Sequence, residues 1–234
     1  MKNKAPLLFL LVTALCTFVA GVALADGFPS PWQLNLQAPA SPVAEQLNQF
    51  HQLLLVITFG IAGFVMALLL FVAIRFNAKA NPKPRLFAHN TPIEVVWTIL
   101  PVLILVMIAI PSMKLLYYMD RTVDPEMTIK VTGYQWYWGY EYPDYDGLSF
   151  SSYMIPDDDI DESRGQIRLL SADNPIVLPV DTNIQILVTA GDVLHSFAVP
   201  ALGIKKDAVP GRMNETWVRI TRPGIYYGQC SELC

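Results

Sequence analysis

Residues 127–132, Met-Thr-Ile-Lys-Val-Thr, decide the fold because the periodicity of the chain changes there. Apolar and polar side chains alternate along this stretch, which is typical of a β-strand with one buried face. On its N-terminal side, residues 95–116 form an apolar run whose only charged residue is Lys114. A helical apolar part therefore precedes a strand-forming part, and the chain is predicted to be an α+β protein.

Further strand signals continue to the end of the chain. Residues 184–189 and 216–220 also alternate, and turn-forming residues separate the runs. Several short strands over roughly a hundred residues predict a β-sandwich or a Greek-key barrel. The acidic stretch 157–162 is expected to be an exposed loop.

Two apolar segments, residues 52–74 and 95–116, each exceed the ~20 residues needed to cross a bilayer core. The loop between them has no acidic residue before Glu94. Because basic loops stay in the cytoplasm, the loop is predicted to be cytoplasmic and the C-terminal part periplasmic, in a multi-pass protein of the bacterial inner membrane. The basic residues of this loop are Arg75, Lys79, Lys83 and Arg85.

The N-terminus has the pattern of a secretory signal. Lys2 and Lys4 precede an apolar run, and Ala23-Leu24-Ala25 offers a small-residue cleavage site before Asp26. An uncleaved first membrane helix is the alternative. The predicted organisation is a signal peptide at 1–25, a periplasmic segment at 26–50, a transmembrane hairpin at 51–118 and a β-domain at 119–234.

Negative charge is concentrated in the predicted external part. Residues 120–234 carry 17 Asp and Glu against 9 Lys and Arg, a net charge of −8, whereas the whole chain carries −4. This balance argues against nucleic acid as a partner, because nucleic acid requires a basic face. It permits steering of a basic protein partner, and the alternative is an acidic surface that only keeps the domain soluble.

Two cysteines and one histidine form a candidate metal site. Cys230 and Cys234 are four residues apart, and His195 follows another predicted strand. Thiolate and imidazole together suit copper, among other metals. A disulfide is the simpler reading of two cysteines in an oxidising compartment. Zinc is the competing metal, but the spacing does not match its usual structural sites.

The motifs around these residues resemble the cytochrome c oxidase subunit 2 family from about residue 50 to the end. The resemblance implies a cupredoxin-like Greek-key domain with a binuclear copper centre, CuA. It also implies the subunit that accepts electrons from cytochrome c in a proton-pumping terminal oxidase, an oxidoreductase in which subunit 1 reduces oxygen to water. The matching motifs are Thr91–Thr98, Gln135–Trp138, Asp192–His195, Pro210–Arg212 and Gly224–Cys234.

The resemblance assigns metal roles to four residues. It makes Cys230 and Cys234 bridging thiolates and His195 a ligand of one copper. It gives Glu232 two roles, a backbone carbonyl on copper and a carboxylate on a magnesium ion shared with subunit 1. The family has a further histidine and a methionine shortly after the second cysteine. Because the sequence stops at Cys234, we expect a β-domain truncated at its C-terminus that binds copper poorly by itself.

Two residues receive roles in electron and proton transfer from the resemblance. Trp136 is the ring that meets the donor haem, and Glu94 is the mouth of a proton path from the cytoplasm. Each has a structural alternative. Alternation places Trp136 with Trp138 on one strand face, as core, and Thr91 is expected to cap a helix whose third residue is Glu94.

The expected partners are subunit 1, subunit 3, cytochrome c and the lipid bilayer. Two other functions stay open: a structural subunit without copper, as in quinol oxidases, and a membrane-tethered copper carrier. The set of His195 with both cysteines argues against the former, and Trp136 with two adjacent spans argues against the latter. The candidate acidic residues for docking cytochrome c are Glu141, Asp144, Asp146, Asp173 and Asp192.

Overall fold

The structure is a computed structural model that describes residues 26–83, 87–120 and 124–234. The predicted signal peptide, residues 1–25, and Arg85 of the predicted cytoplasmic loop lie outside these residues. Within them, one short strand is followed by two long helices and then by nine strands. The order agrees with the predicted change from helix to strand.

Helix α1 spans Pro42–Arg75 and helix α2 spans Thr91–Asp120. The hydroxyl of Ser41, whose backbone is extended, accepts a hydrogen bond from the Ala44 N–H at 3.0 Å and so caps α1. Both predicted spans fall inside these helices. Each helix is long and apolar enough to cross a membrane.

The cap of α2 differs by one residue from the prediction. Asn90, not Thr91, holds the capping position, because its side-chain oxygen accepts the Ile93 N–H at 3.3 Å. Glu94 returns to accept the Asn90 N–H at 3.1 Å. The reciprocal bonding expected of a capping box is therefore present, but it begins at an asparagine, which caps helices as well as a threonine does.

The strands form three sheets. A five-stranded sheet has the order β4-β3-β2-β5-β8, a three-stranded sheet has the order β10-β6-β7, and β1 pairs with β9. Strand β5 returns beside β2, as in a Greek key, but this pair runs parallel. The strands are β1 Asp26–Gly27, β2 Met127–Tyr134, β3 Tyr137–Tyr142, β4 Leu148–Tyr153, β5 Ile184–Ala190, β6 His195–Val199, β7 Ile204–Ala208, β8 Asn214–Val218, β9 Ile225–Tyr226 and β10 Gln229–Cys230.

The two larger sheets face each other across one apolar core. Strands β2 and β5 bury every second residue, so Ile129 and Ile186 point inward. Phe197 and Ile204 of the smaller sheet join the same cluster. The predicted class, a helical hairpin followed by an all-β, cupredoxin-like sandwich, is confirmed.

The core assignment predicts a large effect of truncating Ile129, which is 1% exposed. Ile129→Ala should lower the free energy of unfolding by about 2–5 kcal/mol, because it leaves a cavity between the sheets. Ile225→Ala is the matched control, since Ile225 is 69% exposed. Denaturant unfolding of the detergent-solubilised protein measures both, and equal effects would contradict the core assignment.

Candidate metal centre

Three ligand-type side chains converge at one end of the smaller sheet. The ligand atoms of His195, Cys230 and Cys234 all lie within 4.8 Å of one another. His195 begins β6, and Cys230 lies in β10, which pairs antiparallel with β6 and places Cys230 opposite Phe197. Strand pairing therefore brings together residues that are 35 positions apart in the sequence.

The imidazole of His195 is buried, with 2% exposure, and its two nitrogens have different surroundings. Nε2 lies 2.8 Å from the Asp192 carboxylate, and Nδ1 lies 3.9 Å from the Cys230 sulfur. Because a carboxylate accepts the Nε2 proton, the lone pair of Nδ1 is left facing the thiol. This is the orientation that a metal ligand needs.

The Asp192 carboxylate is itself fixed by hydrogen bonds besides the one to His195. Its carboxylate also accepts the backbone N–H groups of Gln135 at 2.8 Å and of Val193. The hydrogen bond with His195, more than the two backbone bonds, lowers the pKa of Asp192 to about 2. The carboxylate therefore stays charged over the physiological range.

The two thiols share one environment. Both cysteines are free, and their sulfurs are 3.7 Å apart. Burial acts to raise the pKa of Cys230, but hydrogen bonds, first of all those of the Ser196 and Glu232 backbone, outweigh it and hold the pKa below its usual value. Burial and the neighbouring Cys230 raise the pKa of Cys234. Cys230 is thus the first of the pair to become a thiolate.

The arrangement offers donors that suit a soft metal. The donors are the sulfurs of Cys230 and Cys234 and one nitrogen of His195. The Glu232 carbonyl oxygen is a further donor, 3.6 Å from the Cys230 sulfur. Such donors select copper or zinc over magnesium or calcium. A cleft of about 510 Å³ adjoins the thiols, and Tyr140, Phe197 and Tyr226 are among its lining residues.

Comparisons with known proteins agree along most of the chain. Residues 29–115 match the family model of the cytochrome c oxidase subunit II transmembrane domain, and residues 127–234 match that of its periplasmic domain. The chain belongs to the cytochrome c oxidase subunit II family. Members of this family are subunits of an oxidoreductase complex, and the matched transmembrane domain contains both apolar helices. The chain is therefore a membrane protein.

Individual relatives place the chain within this family. The probable cytochrome c oxidase subunit 2 of Rickettsia prowazekii is 57% identical over 206 residues, which cover 88% of this chain and 65% of that protein. The Rickettsia felis relative is 52% identical over 95% of this chain and 70% of that protein. The periplasmic domain of subunit II from Bradyrhizobium japonicum is 48% identical over 49% of this chain and 78% of that domain, with a TM-score of 0.44.

Trp136 lies outside the core. It occupies the turn between β2 and β3 and is 75% exposed, so the structural alternative, a core position on one strand face with Trp138, is wrong. Its indole N–H donates to the Cys234 carbonyl at 3.4 Å. An exposed ring therefore touches the backbone of one candidate ligand. Trp138 packs against the core cluster, as expected.

The carboxylates of Glu94 and Glu232 are not part of the cluster formed by His195, Cys230 and Cys234. Glu94 is at the start of α2, roughly 40 Å along the helix from Asp120 at 1.5 Å per residue. Its carboxylate caps the helix. The Glu232 carboxylate is exposed and accepts the Leu233 N–H at 3.0 Å.

The five candidate docking residues differ in whether their carboxylates already have bonding partners within the protein. Glu141 pairs with Lys130 at 3.0 Å, and Asp144 accepts the Thr128 N–H at 2.7 Å. Asp173 accepts two backbone N–H groups, and Asp192 is bound to His195. Asp146 has no hydrogen-bonding partner for its carboxylate within residues 26–83, 87–120 and 124–234.

Sequence reasoning missed two residues that shape the site. Asp192, which the sequence suggested only as a docking residue, also orients His195, and its spacing of three residues from the histidine was the available signal. Gly133 lies behind the imidazole, where an added Cβ would come within 2.8 Å of the ring. A glycine inside an otherwise regular strand often marks such a close approach.

The lowered pKa of Asp192 predicts a specific acid dependence. Its folded pKa of about 2 lies below the usual 3.8, so its contribution to stability is complete above pH ~4 and is lost as the pH falls toward 2. In metal-free protein, the difference in Tm between wild type and Asp192→Asn should therefore shrink over this range. Asp146→Asn is the control, and a difference that does not change with pH would contradict the assignment.

Proposed function

We propose that this chain is the subunit through which electrons enter a proton-pumping terminal oxidase. It accepts electrons from cytochrome c at a binuclear copper centre and passes them to haem and copper in subunit 1, where oxygen is reduced to water. The observation that carries the proposal is the convergence of the His195, Cys230 and Cys234 ligand atoms within 4.8 Å. Membership of the subunit II family supports it.

The donor set of this chain fits copper. Cys230 and Cys234 would hold the metal as thiolates, His195 would bind it through Nδ1, and Glu232 would offer its carbonyl. A bound copper pair would supply one-electron redox chemistry at this site. The Asp192 hydrogen bond fixes His195 and strand pairing fixes Cys230, so these donors would rearrange little when the charge of the metal changes.

Trp136 is the proposed contact for the donor. Its ring is exposed, and its hydrogen bond to Cys234 reaches the edge of the ligand cluster. A donor haem placed against the indole is then separated from a thiolate ligand by few bonds. The net charge of −8 on residues 120–234 attracts a basic donor, with Glu141, Asp144, Asp146, Asp173 and Asp192 as its proposed contributors.

The proposed topology follows from the two helices and the basic loop. A signal at 1–25 exports the N-terminus, and the segment 26–50 is periplasmic. The hairpin at 51–118 then crosses the inner membrane twice, so that the domain at 119–234 is periplasmic. Arg75, Lys79 and Lys83 support a cytoplasmic loop.

The two remaining proposed contacts lie on opposite sides of the membrane in this topology. Glu94 stands at the cytoplasmic start of α2, where a carboxylate can feed protons toward subunit 1. The Glu232 carboxylate faces solvent, where a magnesium ion shared with subunit 1 can reach it. Subunit 3 is a further proposed partner.

The alternative of a structural subunit without copper leaves the ligand cluster unexplained. A buried imidazole turned toward two free thiols has no packing role that a smaller apolar group could not fill. The alternative of a tethered copper carrier leaves Trp136 unexplained, because metal transfer needs no exposed indole bonded to a ligand residue.

The copper assignment predicts the effect of removing one bridging thiolate. In the full-length gene product, Cys230→Ser should abolish the mixed-valence electron-spin spectrum and lower the copper content, since an alcohol does not replace a thiolate on copper. Leu233→Ala, at a residue between the two cysteines that is 96% exposed, is the matched control. An unchanged spectrum in Cys230→Ser would refute the bridging role.

Trp136 should separate electron transfer from donor binding. Trp136→Ala should slow reduction of the copper centre by cytochrome c severely, while donor affinity, copper content and Tm change little, because an exposed ring contributes little stability. Stopped-flow reduction and thermal melting measure these effects. Trp32→Ala, at a residue that is 97% exposed, is the control. Normal transfer in folded Trp136→Ala would remove this residue from the electron path.

A further inference from the structure

The outer end of α2 is capped by side chains of the β-domain. The last carbonyls of a helix lack partners within the helix. Trp217 in β8 donates its indole N–H to the Tyr118 carbonyl at 2.9 Å, and its ring meets the Tyr118 ring edge-on at 5.3 Å. Thr216 donates its hydroxyl to the Met119 carbonyl at 3.4 Å. Two neighbouring strand residues thus close the end of a membrane helix.

Charge strengthens the same contact. The last turn of α2 has no basic residue of its own, although a cation there offsets the helix dipole. Lys206 of β7 places its ammonium group 2.7 Å from the Asp120 carboxylate. The β-domain therefore supplies the positive charge that the helix end lacks.

The outer end of α1 is attached to the same domain. Ser41 is fully buried and donates its hydroxyl to the Leu202 carbonyl at 2.7 Å while it caps α1. The Ala40 N–H donates to the Ala201 carbonyl at 2.8 Å. Gly203 has a φ of +69°, and an added Cβ would meet the Ala44 nitrogen at 2.9 Å, so the two segments touch through their backbones.

These attachments are close to the candidate ligands along the chain. The 3-10 turn Pro200–Leu202 that receives Ser41 directly follows β6, the strand that begins with His195. Strand β8, which carries Trp217, pairs with β5. Movement of either helix end therefore acts on strands of the core that carries the candidate site.

We propose that Thr216, Trp217 and Lys206 form a rigid joint that fixes the orientation of the metal centre relative to the membrane helices, with Trp217 as its main positioning residue. The joint rests on the proposed function, since a centre that passes electrons to a fixed acceptor in subunit 1 needs a fixed distance. A tethered carrier would need the opposite, a domain free to move on its hairpin.

Trp217→Phe tests the joint in the assembled oxidase with the full-length subunit. The variant keeps a ring against Tyr118 and loses only the indole donor. We expect reduction of the copper centre by cytochrome c to be unchanged and the following transfer to haem to be several-fold slower, because electron transfer slows with distance and a domain no longer held in one orientation spends time farther from its acceptor. The copper spectrum should stay the same.

A distance measurement reports on the joint without electron transfer. Spin labels on non-cysteine amino acids introduced at Lys79 and Glu162, both exposed, span the hairpin and the β-domain. Their distance distribution should broaden in Trp217→Phe and in Thr216→Val, but not in Trp32→Phe. If the distribution is unchanged, the joint is refuted, and if it broadens without slower transfer to haem, the positioning role is refuted.

Failure of the proposed function gives a different result. If wild-type protein shows no reduction of copper by cytochrome c, the proposed function is wrong. The label distances would then still decide whether the joint exists.

Discussion

The pairing of β10 with β6 is the interaction on which the site depends. Only Gln229 and Cys230 form this strand, yet their pairing with Ala198 and Phe197 sets Cys230 beside the imidazole at the start of β6. The Ser231 N–H extends the contact by donating to the Ser196 carbonyl at 3.0 Å. Strand β6 also pairs with β7 and packs in the core. The two-residue strand β10 is therefore held in place through β6.

Asp192 shows why charge on this surface cannot be read as docking alone. An exposed aspartate near a candidate site looks like a steering charge, and its sign does add to the acidic field. Its carboxylate nevertheless has three hydrogen bonds, to His195, Gln135 and Val193, which fix one geometry. The same group thus holds one imidazole tautomer and joins the β2–β3 turn to the strand that carries His195.

Local pattern predicted what depends on local physics. The alternation at residues 127–132 follows from one buried face, and β2 confirms it. The parallel pairing of β2 with β5 had no such signal, because alternation does not state the direction of a partner. The sequence predicted the cap of α2 at Thr91 instead of Asn90, because the two residues are adjacent and both cap helices well. The sequence predicted that His195 and both cysteines come together. It did not predict that Gly133 leaves the space behind the imidazole, because that contact depends on how β2 packs against β6.

The β2–β3 turn explains how one short aromatic stretch serves two surroundings. Because Tyr134 and Tyr137 are paired across the hairpin, the two residues between them leave the sheet, and Trp136 turns outward to the Cys234 carbonyl. Trp138 re-enters the strand on the inner face, where its ring meets His195 at 5.9 Å. A register shift of one residue would exchange these faces. The hairpin register therefore decides which indole a partner can touch and which one supports the imidazole.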